Sequence, residues 1–152
     1  MTIKRSRAEL FSYLGAPLNN VQWSWGAVRE TDGSVFLVVW QDENLRRGPR
    51  SYSLVHNQQF WGDTTDRHGL NERRRHLDRV RQGAKTYLIM ALAERARTAD
   101  APRRIKELNT DEVFAAGELY EDETGNVWIE RVARVPLGEV RVPRGTPRRG
   151  TD

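Results

Sequence analysis

The chain has 152 residues, the length of one domain with a sound core. It lacks cysteine, which excludes disulfides and thiolate metal sites, and its three scattered histidines make a poor zinc set. Net charge is +4 with a pI near 9.8, and arginine outnumbers lysine 22 to 3. With no long apolar run and no signal-like N-terminus, the expectation is a cytoplasmic protein with no cofactor, no metal and no membrane contact.

In chain order, SRAELFSYLG predicts a short helix, with Ser6 as cap, Leu10, Phe11 and Leu14 on one face, and Gly15 closing it. From Val21, two strand-like runs flank ETDGS, whose Asp32-Gly33 pair is the chain's strongest hairpin signal. DENLRRGPR reads as a loop carrying three arginines, and SYSLVHN as a strand. NQQFWGDTTDRHG has turn chemistry throughout. Leu70 to Gln82 predicts a helix ended by Gly83, and KTYLIMALA a strand apolar on both faces. RRIKELN is compatible with a strand, DEVFAAG with a short helix, and ELYED with NVWIERVARV forms a hairpin around Thr124-Gly125. The sum is an α+β fold, a curved and mostly antiparallel sheet or small barrel flanked by helices. Residues 1–135 are expected to form one domain, and 136–152, PLGEVRVPRGTPRRGTD, a basic tail rich in proline, arginine and glycine.

A turn at Asp32-Gly33 sets Trp25 opposite Trp40 and Trp23 opposite Asp42. One face then carries Trp23, Trp25, Ala27, Phe36, Val38, Trp40 and Asp42, and the other Val28, Leu37 and Val39. Indoles can stack on a flat base while a carboxylate accepts from cytosine N4. The same indoles can equally fill a second core, which is the commoner use of aromatic strand residues. Tyr52 and Trp61 are the next candidates for a pocket. In LNERRRHLDRVRQG, Leu70, Leu77 and Val80 define the apolar arc. Arg73 falls inside that arc, while Arg75 and Arg79 point outward. Arg46, Arg47, Arg50, Arg73, Arg75 and Arg79 are the candidates for contacts to a DNA backbone, although an inward Arg73 must snorkel, pair or enter a polar site. A solvated helix face is the competing explanation for Arg75 and Arg79.

No phosphate loop, nucleophile elbow or metalloprotease motif is present, and no catalytic residue is assigned. A binding module fits better than a hydrolase. WSWGA, the Asp-Gly turn, FLVVWQDE, LNERRRHLDRVRQG, VF..GEL and a final W.ER..RV strand together resemble the small SRA-like domains of bacteria, part of the PUA superfamily. The likeness spans roughly Asn20 to Val135. It implies a curved β-barrel and flipping of a modified cytosine, such as 5-methylcytosine, from double-stranded DNA into a concave pocket. Trp23, Trp25 or Trp40 would form the walls, and Asp42 would meet the cytosine edge. Such domains occur alone or joined to HNH nucleases. These 152 residues show no nuclease motif, so recognition is the expected role, with a separate nuclease as the expected partner in modification-dependent restriction. The alternatives are an RNA-binding PUA or ASCH-like module, a nuclease-type enzyme, and a protein-interaction domain that ignores nucleic acid.

Overall fold

The computed structural model describes residues 5–21, 24–57, 68–96 and 104–140. The expectations for Trp23, Trp61 and most of the NQQFWGDTTDRHG segment lie outside the described residues. Helix α1, Arg7–Tyr13, forms as its sequence predicts. The Ser6 hydroxyl accepts from the Glu9 amide while the Glu9 carboxylate accepts from the Ser6 amide, a reciprocal cap. Leu10, Phe11 and Leu14 are fully buried, and Gly15 turns the chain at φ +77°.

Strands β1, Gly26–Val28, and β2, Val35–Trp40, form the expected antiparallel hairpin, with its register displaced by two residues. Ala27 pairs with Phe36, and Arg29 and Ser34 close the turn. The cause is the Asp32 carboxylate. It accepts from the Arg29 side chain at 3.1 and 3.0 Å and from the Ser34 amide at 3.0 Å, which fixes a four-residue loop between Arg29 and Ser34. A two-residue shift keeps each side chain on its predicted face. It does move Trp25 from beside Trp40 to the level of Val38, whose amide donates to the Trp25 carbonyl at 2.9 Å.

Two stretches change class. The expected arginine loop is strand β3, Asn44–Arg47, joined to β4, Arg50–His56, by a tight turn in which Gly48 takes φ +59°. Arg47 pairs with Arg50 across that turn, so the three arginines sit on strand ends. DEVFAAG is not helical either: it begins strand β7, Glu112–Glu121. Val113 and Ala115 face one core while Phe114 and Ala116 face the other. A strand buried on both sides shows no polar alternation, and partners on either edge override the helix preference of its alanines. Helix α2 spans His68–Arg81, and Gly83 follows it at φ +99°. Strands β5, Thr86–Ala93, and β6, Ile105–Leu108, fall where expected, and β8, Val127–Pro136, pairs with β7 around the Gly125 turn.

The eight described strands form one open α+β sheet in the order β1-β2-β5-β7-β8-β4-β3, with β6 also on β5. All pairings are antiparallel except β2 with β5. Each face carries a core. On one, Phe36, Val38, Tyr87 and Ile89 meet Leu10, Phe11 and Leu14 of α1. On the other, Leu37, Val39, Leu88 and Ile129 meet Leu77 of α2.

The domain boundary after Val135 also moves. β8 runs to Pro136, and Leu137–Val140 forms a single helical turn, α3, that buries Leu137 and Val140 in the α1 core. The Leu137 amide donates to the Asp111 carbonyl at 2.9 Å. Residues 141–152 of the expected tail lie outside the described residues. Replacing Leu137 by Ala removes a buried side chain from this core and is expected to cost roughly 2–4 kcal/mol. Urea denaturation checks this, and a loss below about 0.5 kcal/mol would show that α3 contributes nothing to the core.

Candidate functional site

The expected base-pocket residues that are described, Trp25, Trp40, Asp42 and Tyr52, are not in the lining of the large cleft beside strand β5. Trp25 and Trp40 lie 5.4 Å apart, ring centre to ring centre, tilted by 48° and packed against the α1 core. For these two indoles the second-core explanation is the one observed. The Arg7 guanidinium covers Trp25 at 5.0 Å. Asp42 is exposed in the turn after β2. Tyr52 is 2% exposed, its ring 6.0 Å from Tyr120.

The arginines divide sharply. Arg73 is buried, and its Nη2 donates to the carbonyls of Trp25 at 3.1 Å and Val38 at 2.9 Å. This corrects its assignment to a DNA backbone: it is bonded inside the fold, locking α2 onto the β1–β2 hairpin. Burial lowers its pKa to about 10, which still leaves it charged at neutral pH. Arg47 stacks on Tyr120 at 3.8 Å, and Arg50 pairs with Glu118 at 3.5 Å and Glu130 at 3.7 Å. The Arg46 Nε donates to the Gly48 carbonyl. On α2, Arg74, Arg75 and Arg79 are exposed and join no ion pair among the described residues, whereas Arg81 pairs with Asp78.

The small residues Ser24 and Gly26 admit α2, a close approach by a segment of this chain. A Cβ on Gly26 would stand 2.7 Å from the Phe36 carbonyl oxygen and 3.1 Å from His76 Nδ1. Ser24 Oγ donates to the buried Glu72 carboxylate at 2.9 Å. Glu72, Arg73 and His76 thus form a buried polar seam beneath the hairpin.

One large cleft is described, about 980 Å³, and it lies where strand β5 changes partner. β7 pairs with β5 at Tyr87 and Leu88, and β6 pairs with it from Ala91 onward. Between them Asn109, Thr110 and Asp111 leave the ladder. The excursion is fixed by the Asn109 side chain, whose Oδ1 accepts from the amides of Asp111 and Glu112 at 2.9 and 3.2 Å. Met90 and Phe114 form apolar lining continuous with the α2 core. Arg131 and Arg134 from β8 stand 6.0 and 5.2 Å from the Phe114 ring centre. Gln41 and Asn44 add amides, and Glu107, Asp111 and Glu112 add carboxylates. Chemically, this can hold a planar group with a polar edge and an anionic substituent.

None of these cleft residues is among the sequence-based site candidates, although Phe114, Arg131 and Arg134 fall within the VF..GEL and W.ER..RV stretches of the resemblance. Arg131 and Arg134 are three apart in a strand and share a cleft only because β8 bulges between Arg131 and Ala133. Among the described residues, no group of three His, Asp or Glu could hold a metal ion, and no helix is long and apolar enough to cross a membrane. Comparison of the chain with protein-family models, curated proteins and solved structures finds no match.

The seam has a pH signature. Burial, reinforced by the charges of Arg73, Arg75 and Arg79, lowers the His76 pKa to about 4. Unfolded histidine takes its proton near pH 6.5, so the unfolded chain binds more protons between those values. Stability is therefore fully present above about pH 6.5 and falls as pH drops toward 4, by roughly 2–3 kcal/mol from this group alone. Urea midpoints at pH 7.5 and 4.5 should show that loss in the wild type and a smaller one in His76→Gln. Equal losses would mean that His76 is not held neutral.

Proposed function

We propose that the protein is a nucleic-acid reader that takes a modified cytosine of double-stranded DNA into the cleft at the β5 fork, acting as an SRA-like recognition module. The observation that carries this is the cleft itself, with two guanidiniums near the Phe114 ring and carboxylates on β6, the excursion and β7. An aromatic ring supports a flat base, a carboxylate such as Glu107 accepts from cytosine N4, and guanidiniums attract phosphate. The exposed Arg74, Arg75 and Arg79 on α2 supply sequence-independent attraction to a polyanion. Extruding a base costs a few kcal/mol of pairing and stacking, which the cleft and backbone contacts together offset. A methyl group adds only about 0.8 kcal/mol of burial, so selectivity for 5-methylcytosine is modest, about fourfold, unless a close steric fit adds to it.

Titration against duplexes carrying cytosine, 5-methylcytosine or 5-hydroxymethylcytosine, with a matched RNA duplex, at two salt concentrations, tests the proposal. Modified DNA is expected to bind tightest, and Phe114→Ala to weaken it roughly ten- to hundredfold while erasing the preference. Replacing Arg75 and Arg79 by Ala should weaken all duplexes alike and flatten the salt slope by about one unit per lost phosphate contact. Tighter binding to the RNA duplex favours an RNA-binding module instead. Absence of salt-sensitive binding to any of them sinks the proposal.

A further inference from the structure

Arg131 differs from Arg134, the other arginine that β8 gives the cleft, in how its charge is met. It stands beside the bulge in β8, where Ala116 pairs with Arg131 and Ala115 with Ala133, leaving Val132 as the extra residue, 59% exposed. Its Nη1 donates to Asn44 Oδ1 at 2.8 Å, Ser53 Oγ at 2.7 Å and the Tyr52 carbonyl at 3.0 Å. All three acceptors are neutral. Arg134 is paired with Glu112 and Arg50 with Glu118 and Glu130, but Arg131 joins no ion pair among the described residues. Partial burial accordingly lowers its pKa.

A half-buried cation held only by neutral groups has given up hydration without gaining a counter-charge. An anion arriving in the cleft supplies that counter-charge. Bonds from one end already fix the guanidinium, so little side-chain freedom is lost when its remaining N–H groups meet a ligand. The planar fork suits a phosphate better than a point charge would. The cleft's carboxylates, Glu107, Asp111 and Glu112, lie on β6, the excursion and β7, with Lys106 also on β6. Both charged side chains that β8 gives the lining, Arg131 and Arg134, are cationic, which favours the β8 side for an anion. A volume of about 980 Å³ accommodates a whole nucleotide.

We propose that Arg131 is the anion anchor of this cleft, and that the cleft takes a nucleotide by its phosphate with the base against Phe114. The proposal rests on the same cleft as the DNA reading but extends to a free nucleotide. Calorimetric titration of the full chain with 2′-deoxycytidine 5′-monophosphate, 2′-deoxycytidine and inorganic phosphate tests it. The nucleotide is expected to bind at least about tenfold tighter than the nucleoside, with inorganic phosphate competing. Arg131→Gln should lower nucleotide affinity roughly ten- to hundredfold and Arg131→Lys several-fold, with nucleoside affinity unchanged in both. Should either variant fail to fold, the wild-type comparison decides: equal affinities for nucleotide and nucleoside, or binding of neither, overturn the anchor. A nucleotide preference without discrimination among duplexes upholds the anchor while rejecting the DNA reading. The converse result upholds the DNA reading and rejects the anchor.

Discussion

A β-strand has two edges, and β5 serves three neighbours. β2 lies parallel along Thr86 to Ala91 and occupies one edge over that length. The other edge is divided between β7, at Tyr87 and Leu88, and β6, from Ala91 onward. Six residues separate Leu108 from Phe114 on the outer strand where three separate Ala91 from Leu88 on β5, so three residues must leave the ladder. Backbone groups at such a break still need partners. The Asn109 amide meets the Met90 carbonyl at 2.9 Å, and the Asn109 side chain closes the excursion on itself. The cleft, its apolar lining and the position of β8 beside it all follow from this division.

Arginine holds the remainder together. Arg29 donates to the Leu14 and Val140 carbonyls at the ends of α1 and α3, while pairing with Asp32. Orphan carbonyls at helix C-termini carry partial negative charge, so one guanidinium fastens two helix ends to the first hairpin. In return Arg29, with the Ser34 amide, holds the Asp32 pKa at about 2. Arg73 does the same for α2 through the carbonyls of Trp25 and Val38. An arginine-rich composition is therefore a diluted signal of nucleic-acid binding here. Among the described residues several guanidiniums are internal fasteners, and those left on the outer arc of α2 and the cleft wall are the ones assigned to a polyanion.

Local features were legible in the sequence and pairings between distant residues were not. The Ser6–Glu9 cap, the Leu10–Phe11–Leu14 face, the helix ending near Gly83 and the Thr124-Gly125 hairpin are each written within about ten residues, and each forms. The first hairpin was read on the right faces, because a two-residue slip conserves them, but its register depended on a side-chain bond from Arg29 to Asp32 that no turn preference encodes. β7 was misread because a strand buried on both faces loses its alternation. Arg131 and Phe114 could not be brought together from spacing, since their meeting requires a bulge in one strand and a break in another. Aromatic clustering drew attention to Trp25 and Trp40, whose apolar surface the fold uses against α1.

What unites the functional proposals is a place: the wall formed by the excursion at 109–111, β7 and β8, rather than the tryptophan face of the hairpin. Backbone amide NMR of the full chain, followed during addition of a duplex containing 5-methylcytosine, locates the bound base directly. The expected result is that the largest shifts fall on residues 106–112, Phe114 and 131–134, with smaller ones along the outer face of α2. If instead the shifts gather on Trp25, Trp40 and Asp42 and leave the excursion unchanged, the cleft at the β5 fork is not the base site.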